Sequence, residues 1–458
     1  MKSLTPARMA QICHGTLSCP EEIMENEITA VVTDSRRVEE GCLFVPIKGA
    51  KVDAHDFIPQ VMENGAMLTL TERGDTVGEY PCILVRSTVE AFQALAKAYI
   101  EELNTPVISI TGSVGKTSTK ETVAAVLNQK YNTLKTLGNF NNDLGLPMTI
   151  FRLDQSHERA VLEMGISHFG DMTVLANIAN PDISVITNIG SCHLEHLGDL
   201  DGVLKAKTEV FDFLKDGACV VLNGDDAKLS TVKEVKGKKP YFFGLNPEND
   251  FWADEICPAG IKGIACHIHT PEGDFKVVVP QPGQHMVYNA LAATAVGQLS
   301  GLSLDEIKQG IEKVESISGR FHIVEKEGLT IINDCYNANP MSMKASLGIL
   351  RYAAPRRVAI LGDMGELGKD EAALHASVGE FMTEQPPELL ITCGELTQYM
   401  VSALTEKCPE ADVVSFDELS ELIASLQDLI QKGDTILVKA SHFMQFDKVT
   451  EALENLDI

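Results

Sequence analysis

The sequence predicts an α/β protein of three domains, and three observations predict it. The chain of 458 residues is longer than one ordinary core accommodates. Short apolar runs alternate with stretches of helical periodicity almost from end to end. The strand–loop–helix pattern, running from residue 107, restarts near residue 320. The expected organisation is a small N-terminal α/β domain over 1–104 and a central domain with a P-loop-type, mostly parallel sheet over 105–315. A Rossmann-like C-terminal domain follows over 316–458.

The elements follow in order. The opening MKSLTPARMAQICHG reads as a mixed polar and apolar helix, not a signal sequence. ITAVVTDS, CLFVPIKG, MLTLTE and CILVRS read as strands, HDFIPQVMENGA and VEAFQALAKAYIEEL as helices, and Asn104-Thr105-Pro106 as a break. VISITG, RAVLEMG, ISVITNIG and ACVVLNGDD are buried-type strands suited to a parallel sheet. IKGIACHIHT and DFKVVVP, joined by Pro-Glu-Gly, read as a hairpin added to that sheet, and GQHMVYNALAATAVGQLSGLS as a closing helix. LTIINDC, RRVAILGD, ELLITCGE and DTILVKAS supply the strands of the last domain.

Composition narrows the function. Hydrophobic content of 44% with 22% charged residues is globular. A formal charge of −27 argues against nucleic acid and anionic membranes as partners. No apolar run approaches the roughly 20 residues of a membrane span. Eleven cysteines without a CxxC pair or a His/Cys spacing suited to zinc fit a reducing, cytoplasmic setting.

One stretch carries specific chemistry. In ITGSVGKTSTK, Thr111, Gly112, Ser113, Gly115, Lys116, Thr117 and Ser118 lie between a strand and a helix. Glycines let backbone N–H groups converge on phosphate oxygens, and the helix N-terminus favours the anion. Lys116 can reach the terminal phosphates and the Thr117 hydroxyl can join a Mg²⁺ shell. Only two residues separate the glycines, where the usual P-loop has four. Glu163 ends one strand and His193 follows another, so both are candidate metal ligands. His196 reads as a plain loop residue.

In order along the chain, TGSVGKTSTK, GNFNNDLGLP, LEMG, TNIGSCHLEHLG with KAKTEVF, GQHMVYNALAA, SGRF and NDCYNANP resemble the Mur ligases. The short GxxGKT loop is that family's form, and the resemblance spans essentially the whole chain. Within the family it points to the member that adds D-alanyl-D-alanine to UDP-N-acetylmuramoyl-tripeptide. GNFNNDLGLPMT and GDMGELG followed by His375 match that form, and the DNPR motif of the preceding ligase is absent.

The resemblance implies a soluble, monomeric ATP-dependent ligase of peptidoglycan synthesis using Mg²⁺, with two ions expected. It implies that Lys116, Lys207, His193 and Arg320 serve catalysis, with Lys207 carbamylated. Thr117, Glu163, His193 and the Lys207 carbamate would hold metal, whereas Asn289, Arg320 and Asp334 would join the phosphate loop in binding ATP. Ser35, Arg36 and Lys48 in the N-terminal domain would hold the UDP-sugar. Asn139, Asn141, Asn142, Tyr336, Asn337 and Asn339 would position substrate. One departure stands out: many members carry KGSR near the C-terminus, where this chain has KASH, Lys439 to His442. The competing readings are another Mur-type or folylpolyglutamate-type ligase, or a P-loop protein that uses nucleotide only as a switch.

Overall fold

Three sheets organise the computed structural model, which describes residues 1–260, 263–315, 319, 321–326, 328–353 and 356–456. The first has five strands in the order Thr16–Ser18, Cys82–Leu84, Leu68–Thr71, Leu43–Phe44, Val31–Val32. Its first pair is antiparallel and the rest are parallel. Two of these strands are shorter than their apolar runs predict. Asp34 accepts from the Arg36 amide and turns the chain into the 3₁₀ turn Ser35–Arg37. Pro46 has no amide hydrogen to extend the ladder after Phe44.

Helix Thr88–Leu103 starts where the Ser87 side chain accepts from the Glu90 amide, and ends at Asn104 with φ 52°. Its buried Ala91, Phe92, Leu95, Ala96, Tyr99 and Ile100 recur at helical spacing. This stripe also faces the next domain: Phe92 packs against Phe151 at 5.4 Å between centroids, and the Tyr99 hydroxyl donates to Leu153 O at 2.7 Å.

The central sheet has nine strands. Thr133–Lys135, Arg159–Glu163, Val107–Thr111, Ile183–Ile186, Cys219–Asn223, Tyr241–Gly244 and Phe251–Pro258 are neighbours in that order and parallel. Ile264–Thr270 and Gly273–Val279 add the antiparallel hairpin that the sequence predicts. Alternation along each strand serves two cores. Leu162, Ile186 and Leu222 join one apolar cluster, and their neighbours Val161, Val185 and Val221 join the other with Ala290 and Leu291 of helix Gln284–Leu299. The strands Tyr241–Gly244 and Phe251–Pro258 escaped the sequence reading, since glycine, acidic and proline residues punctuate that stretch.

The third sheet orders His322–Lys326, Leu329–Asn333, Thr435–Lys439, Arg357–Gly362, Leu389–Cys393 and Val413–Phe416, parallel except for the first pair. The four strands foreseen form its core, and the two not foreseen lie at its edges. No helix among the described residues is long and apolar enough to cross a membrane.

Candidate active site

Strand Val107–Thr111 is buried at every position, so it delivers the following loop at a fixed point on the sheet edge. Gly112 has φ 147°, and a Cβ there would lie 1.9 Å from Thr187 Oγ1. Only glycine fits that approach. Gly115, at φ 83°, is the cap of helix Lys116–Leu127. Neighbouring strands pin the loop: Val114 N donates to Asn188 Oδ1 at 2.9 Å, and Thr187 Oγ1 donates to Val114 O at 2.6 Å. Ser113 Oγ accepts from Gly190 N at 2.8 Å. Lys116 Nζ folds back onto the loop, donating to Gly112 O at 2.8 Å.

Among the described residues, two buried side-chain oxygens lack hydrogen-bond partners: Thr117 Oγ1 and Glu163 Oε2. Buried polar atoms are otherwise nearly always satisfied, and each orphan calls for an explanation. The other Glu163 oxygen accepts from Asn141 Nδ2 at 2.9 Å, and Oε2 forms a buried ion pair with Lys120 Nζ at 3.7 Å, a separation too long for a hydrogen bond. A hydroxyl oxygen and a carboxylate oxygen, left open beside a phosphate loop, form the oxygen donor set a Mg²⁺ ion takes.

Lys207 is 1% exposed. Burial, aided by the charge of Lys116, lowers its pKa to about 7. His193 has φ 52°, and its Nδ1 lies 2.7 Å from Oε2 of Glu366 in the third domain. That contact is close, but lacks the alignment of a hydrogen bond. The nearby His193 holds the Glu366 carboxyl below its usual range, against the opposing effect of burial.

The loop opens on a cleft of about 590 Å³ lined by both the central and third domains. Ser113, Gly115, Lys116, Thr117, Ser118, Asn141, Asn142, Glu163, His193, Asn289, Asp334, Tyr336, Asn337 and Asn339 all line it. Several are also tied into the framework. Asn289 Oδ1 accepts from Thr119 Oγ1 at 2.9 Å, Asn142 Oδ1 from Gly145 N at 2.8 Å, and Asn339 caps helix Pro340–Leu350. Asp334 takes Lys439 Nζ at 2.6 Å, Ser346 Oγ at 2.5 Å and Phe321 N at 3.1 Å. Its carboxylate therefore fixes the loop that holds Tyr336.

Other expected residues lie elsewhere. Thr111, Gly112 and Lys207 sit outside the cleft lining, and Asn139 is exposed outside it. Ser35, Arg36 and Lys48 stay in the first domain, where Arg36 pairs with Asp34 at 2.8 Å. Arg320 and Ser316 to Ser318 lie outside the described residues. In KASH, Lys439 is the buried partner of Asp334, Ser441 Oγ accepts from Gly365 N, and the His442 ring lies 5.6 Å from that of Tyr336. Sequence reading missed Asn188, Lys120 and Glu366. Lys120 was visible one turn beyond Lys116, and Glu366 within GDMGELG, but only the fold brings them to Glu163 and His193.

Three family models match the chain: the Mur ligase family catalytic domain over 27–118, the Mur ligase middle domain over 110–297, and the Mur ligase glutamate ligase domain over 319–442. The UDP-N-acetylmuramoyl-tripeptide–D-alanyl-D-alanine ligase of Bacillus subtilis is 35% identical, covering 98% of both chains. The crystal structure of MurF from Acinetobacter baumannii superposes with a TM-score of 0.91 at 31% identity, covering 98% of each chain. MurF ligase from Thermotoga maritima in complex with ADP gives 0.82 at 29% identity, covering 93% of this chain and 97% of that one. With this likeness running through all three sheets, the chain belongs to the Mur ligase family.

Proposed function

We propose that this chain joins D-alanyl-D-alanine to UDP-N-acetylmuramoyl-tripeptide at the expense of ATP, yielding the pentapeptide precursor, ADP and phosphate. The observation that carries the reading is the pair of orphaned oxygens, Thr117 Oγ1 and Glu163 Oε2, beside a phosphate loop in a cleft shared by two domains. The full-length likeness to dipeptide-adding ligases supplies the substrates.

A carboxylate oxygen of the tripeptide attacks the γ-phosphorus of ATP, and ADP leaves. The dipeptide amine attacks the resulting acyl phosphate carbonyl and loses a proton, and phosphate departs as the amide forms. Two anions must approach in the first step, so cations and aimed N–H donors govern the rate. The amides of the loop from Gly112 to Lys116 serve the β- and γ-phosphates, with Lys116 exchanging its loop carbonyls for phosphate oxygens. Thr117, Glu163 and His193 would hold Mg²⁺, which neutralises phosphate charge when bound.

Lys207 serves as a carbamate in this reading. A buried amine with pKa about 7 is available as the neutral nucleophile that CO₂ requires. The first domain binds the UDP-sugar through Ser35, Arg36 and Lys48. Asp334, Tyr336, Asn337, Asn339 and Asn289 bound the nucleotide side of the cleft.

The test is incubation with ATP, Mg²⁺, UDP-N-acetylmuramoyl-tripeptide and D-alanyl-D-alanine, following phosphate and product mass. Phosphate release that needs both substrates, with a product heavier by the dipeptide less one water, supports the assignment. Phosphate release without ligation overturns it.

A further inference from the structure

The outer face of the hairpin at the edge of the central sheet carries a group of side chains that the ligase chemistry does not use. Asp254 stands directly opposite His267 in the antiparallel pair of strands Phe251–Pro258 and Ile264–Thr270. Trp252 stands opposite His269, and His269 in turn opposite Asp274 of the next strand. The intervening Ala253, Cys266 and Ile268 are buried in the core, so alternation turns the histidines outward. Just beyond Asp254 the register shifts, with Glu255 at φ 48°, so the ladder is interrupted at this point.

We propose that Asp254, His267 and His269 form a binding site for a divalent transition-metal ion, of the zinc or nickel class. Among the described residues they are the group of three such side chains whose donor atoms all lie within 4.8 Å of one another. Asp254 Oδ1 is 3.0 Å from His269 Nε2 and 3.6 Å from His267 Nδ1. Donors about 2.0–2.1 Å from a tetrahedral ion are roughly 3.4 Å apart, so the two distances straddle the required edge.

The surroundings also suit a metal. The other nitrogen of His267, Nε2, lies 2.6 Å from Asp274 Oδ2. A carboxylate on the far nitrogen fixes the tautomer and leaves Nδ1 free to ligate, the usual arrangement of a metal-bound histidine. The Trp252 ring stacks on His269 at 3.9 Å with a 13° interplanar angle, holding that imidazole in place. Two imidazoles with centroids 4.2 Å apart converge on one carboxylate oxygen. One dication would satisfy all three donors. Imidazole donors select zinc, nickel or copper over Mg²⁺. The ion would clip the two strands together across the register shift.

Trp252 is the only tryptophan of the chain, so its emission reports on this face alone. Tag-free full-length protein, stripped with EDTA and returned to millimolar Mg²⁺, is titrated with Ni²⁺ while tryptophan emission is followed. The expected result is saturable one-to-one quenching that EDTA reverses, Zn²⁺ competes away and Mg²⁺ leaves untouched. D254N and H267Q should each raise the midpoint at least about tenfold, and D274N by less, with ligation turnover unchanged in all three. Quenching that never saturates, or a midpoint unmoved in the D254N/H267Q double variant, overturns the proposal.

Discussion

His193 and Glu366 meet across two domains, 2.7 Å apart, and both do so from left-handed backbone, at φ 52° and 60°. Each such residue costs roughly 1–2 kcal/mol relative to right-handed backbone. Strain of this kind clusters where geometry serves function. Here it places a carboxylate from the third domain against a candidate metal ligand of the central one. Glu366→Gln keeps the volume and removes the charge. We expect kcat/KM to fall about tenfold, as when the outer partner of a ligating histidine is removed, with a matching rise in the Mg²⁺ needed for half-maximal rate. Steady-state kinetics over a Mg²⁺ series measure both, and an unchanged Mg²⁺ dependence rules out the positioning role.

Thr117→Val separates stability from activity. The Thr117 hydroxyl is buried without a hydrogen-bond partner among the described residues, and such an atom costs about 1–3 kcal/mol. An isosteric methyl removes that cost, so the ligand-free variant should melt no lower than the parent, and higher by up to a few degrees. Turnover should drop by about 100-fold, because the oxygen donor beside the phosphates is gone. A stability loss without an activity loss would make Thr117 an ordinary core residue.

Much of this was legible in the sequence, for identifiable reasons. The phosphate loop is local: strand, glycines, lysine and helix are contiguous, and the fold adds only the neighbours that pin it. Buried parallel strands such as Val107–Thr111 are legible because both faces are covered and every residue is apolar or small. Edge strands are not: His322–Lys326 mixes histidine, glutamate and lysine with its two apolar residues, and Val413–Phe416 is only four residues long. Pairings between distant segments were equally hidden. Nothing local marks Lys439 as the partner of Asp334, and that ion pair turns KASH from a defective motif into a framework element. The sequence reading drew no metal site from His267-x-His269, because its meaning depends on Asp254 lying across the ladder.

His375 gives the protein a defined response to acid. The ring is wholly buried, with Nε2 accepting from Met364 N at 2.9 Å and Nδ1 beside Glu371 O at 2.8 Å. Burial depresses its pKa, outweighing the opposing pull of the Glu371 carbonyl and Asp363. The unfolded chain therefore takes up a proton before the native state does. This contribution to stability is complete above about pH 6.5, and is lost as pH falls through the depressed native value. The loop that His375 holds leads directly into Glu366. Melting curves across that window should show a slope that His375→Gln flattens. His375→Ala should cost about 1–3 kcal/mol at neutral pH by orphaning the Met364 amide. A His375→Gln variant with the parent's full acid slope would place the titration elsewhere.

Lys207 supplies the remaining prediction. Its pKa of about 7, set first by burial and then by Lys116, means that the amine is largely neutral a unit above that value and largely ammonium a unit below. Only the neutral form can attack CO₂, forming an N–C bond and releasing a proton. The product is an anion, so carbamylation would reverse the local charge from partly cationic to anionic, in keeping with the metal-ligand role proposed for it. In CO₂-free buffer the ligation rate should fall on both sides of pH 7. Added bicarbonate should restore it on the alkaline side, and much less on the acid side. Lys207→Arg keeps a cation that cannot be carbamylated, and should lose both the activity and the bicarbonate response. A rate indifferent to bicarbonate at either pH would mean that Lys207 acts as a plain amine.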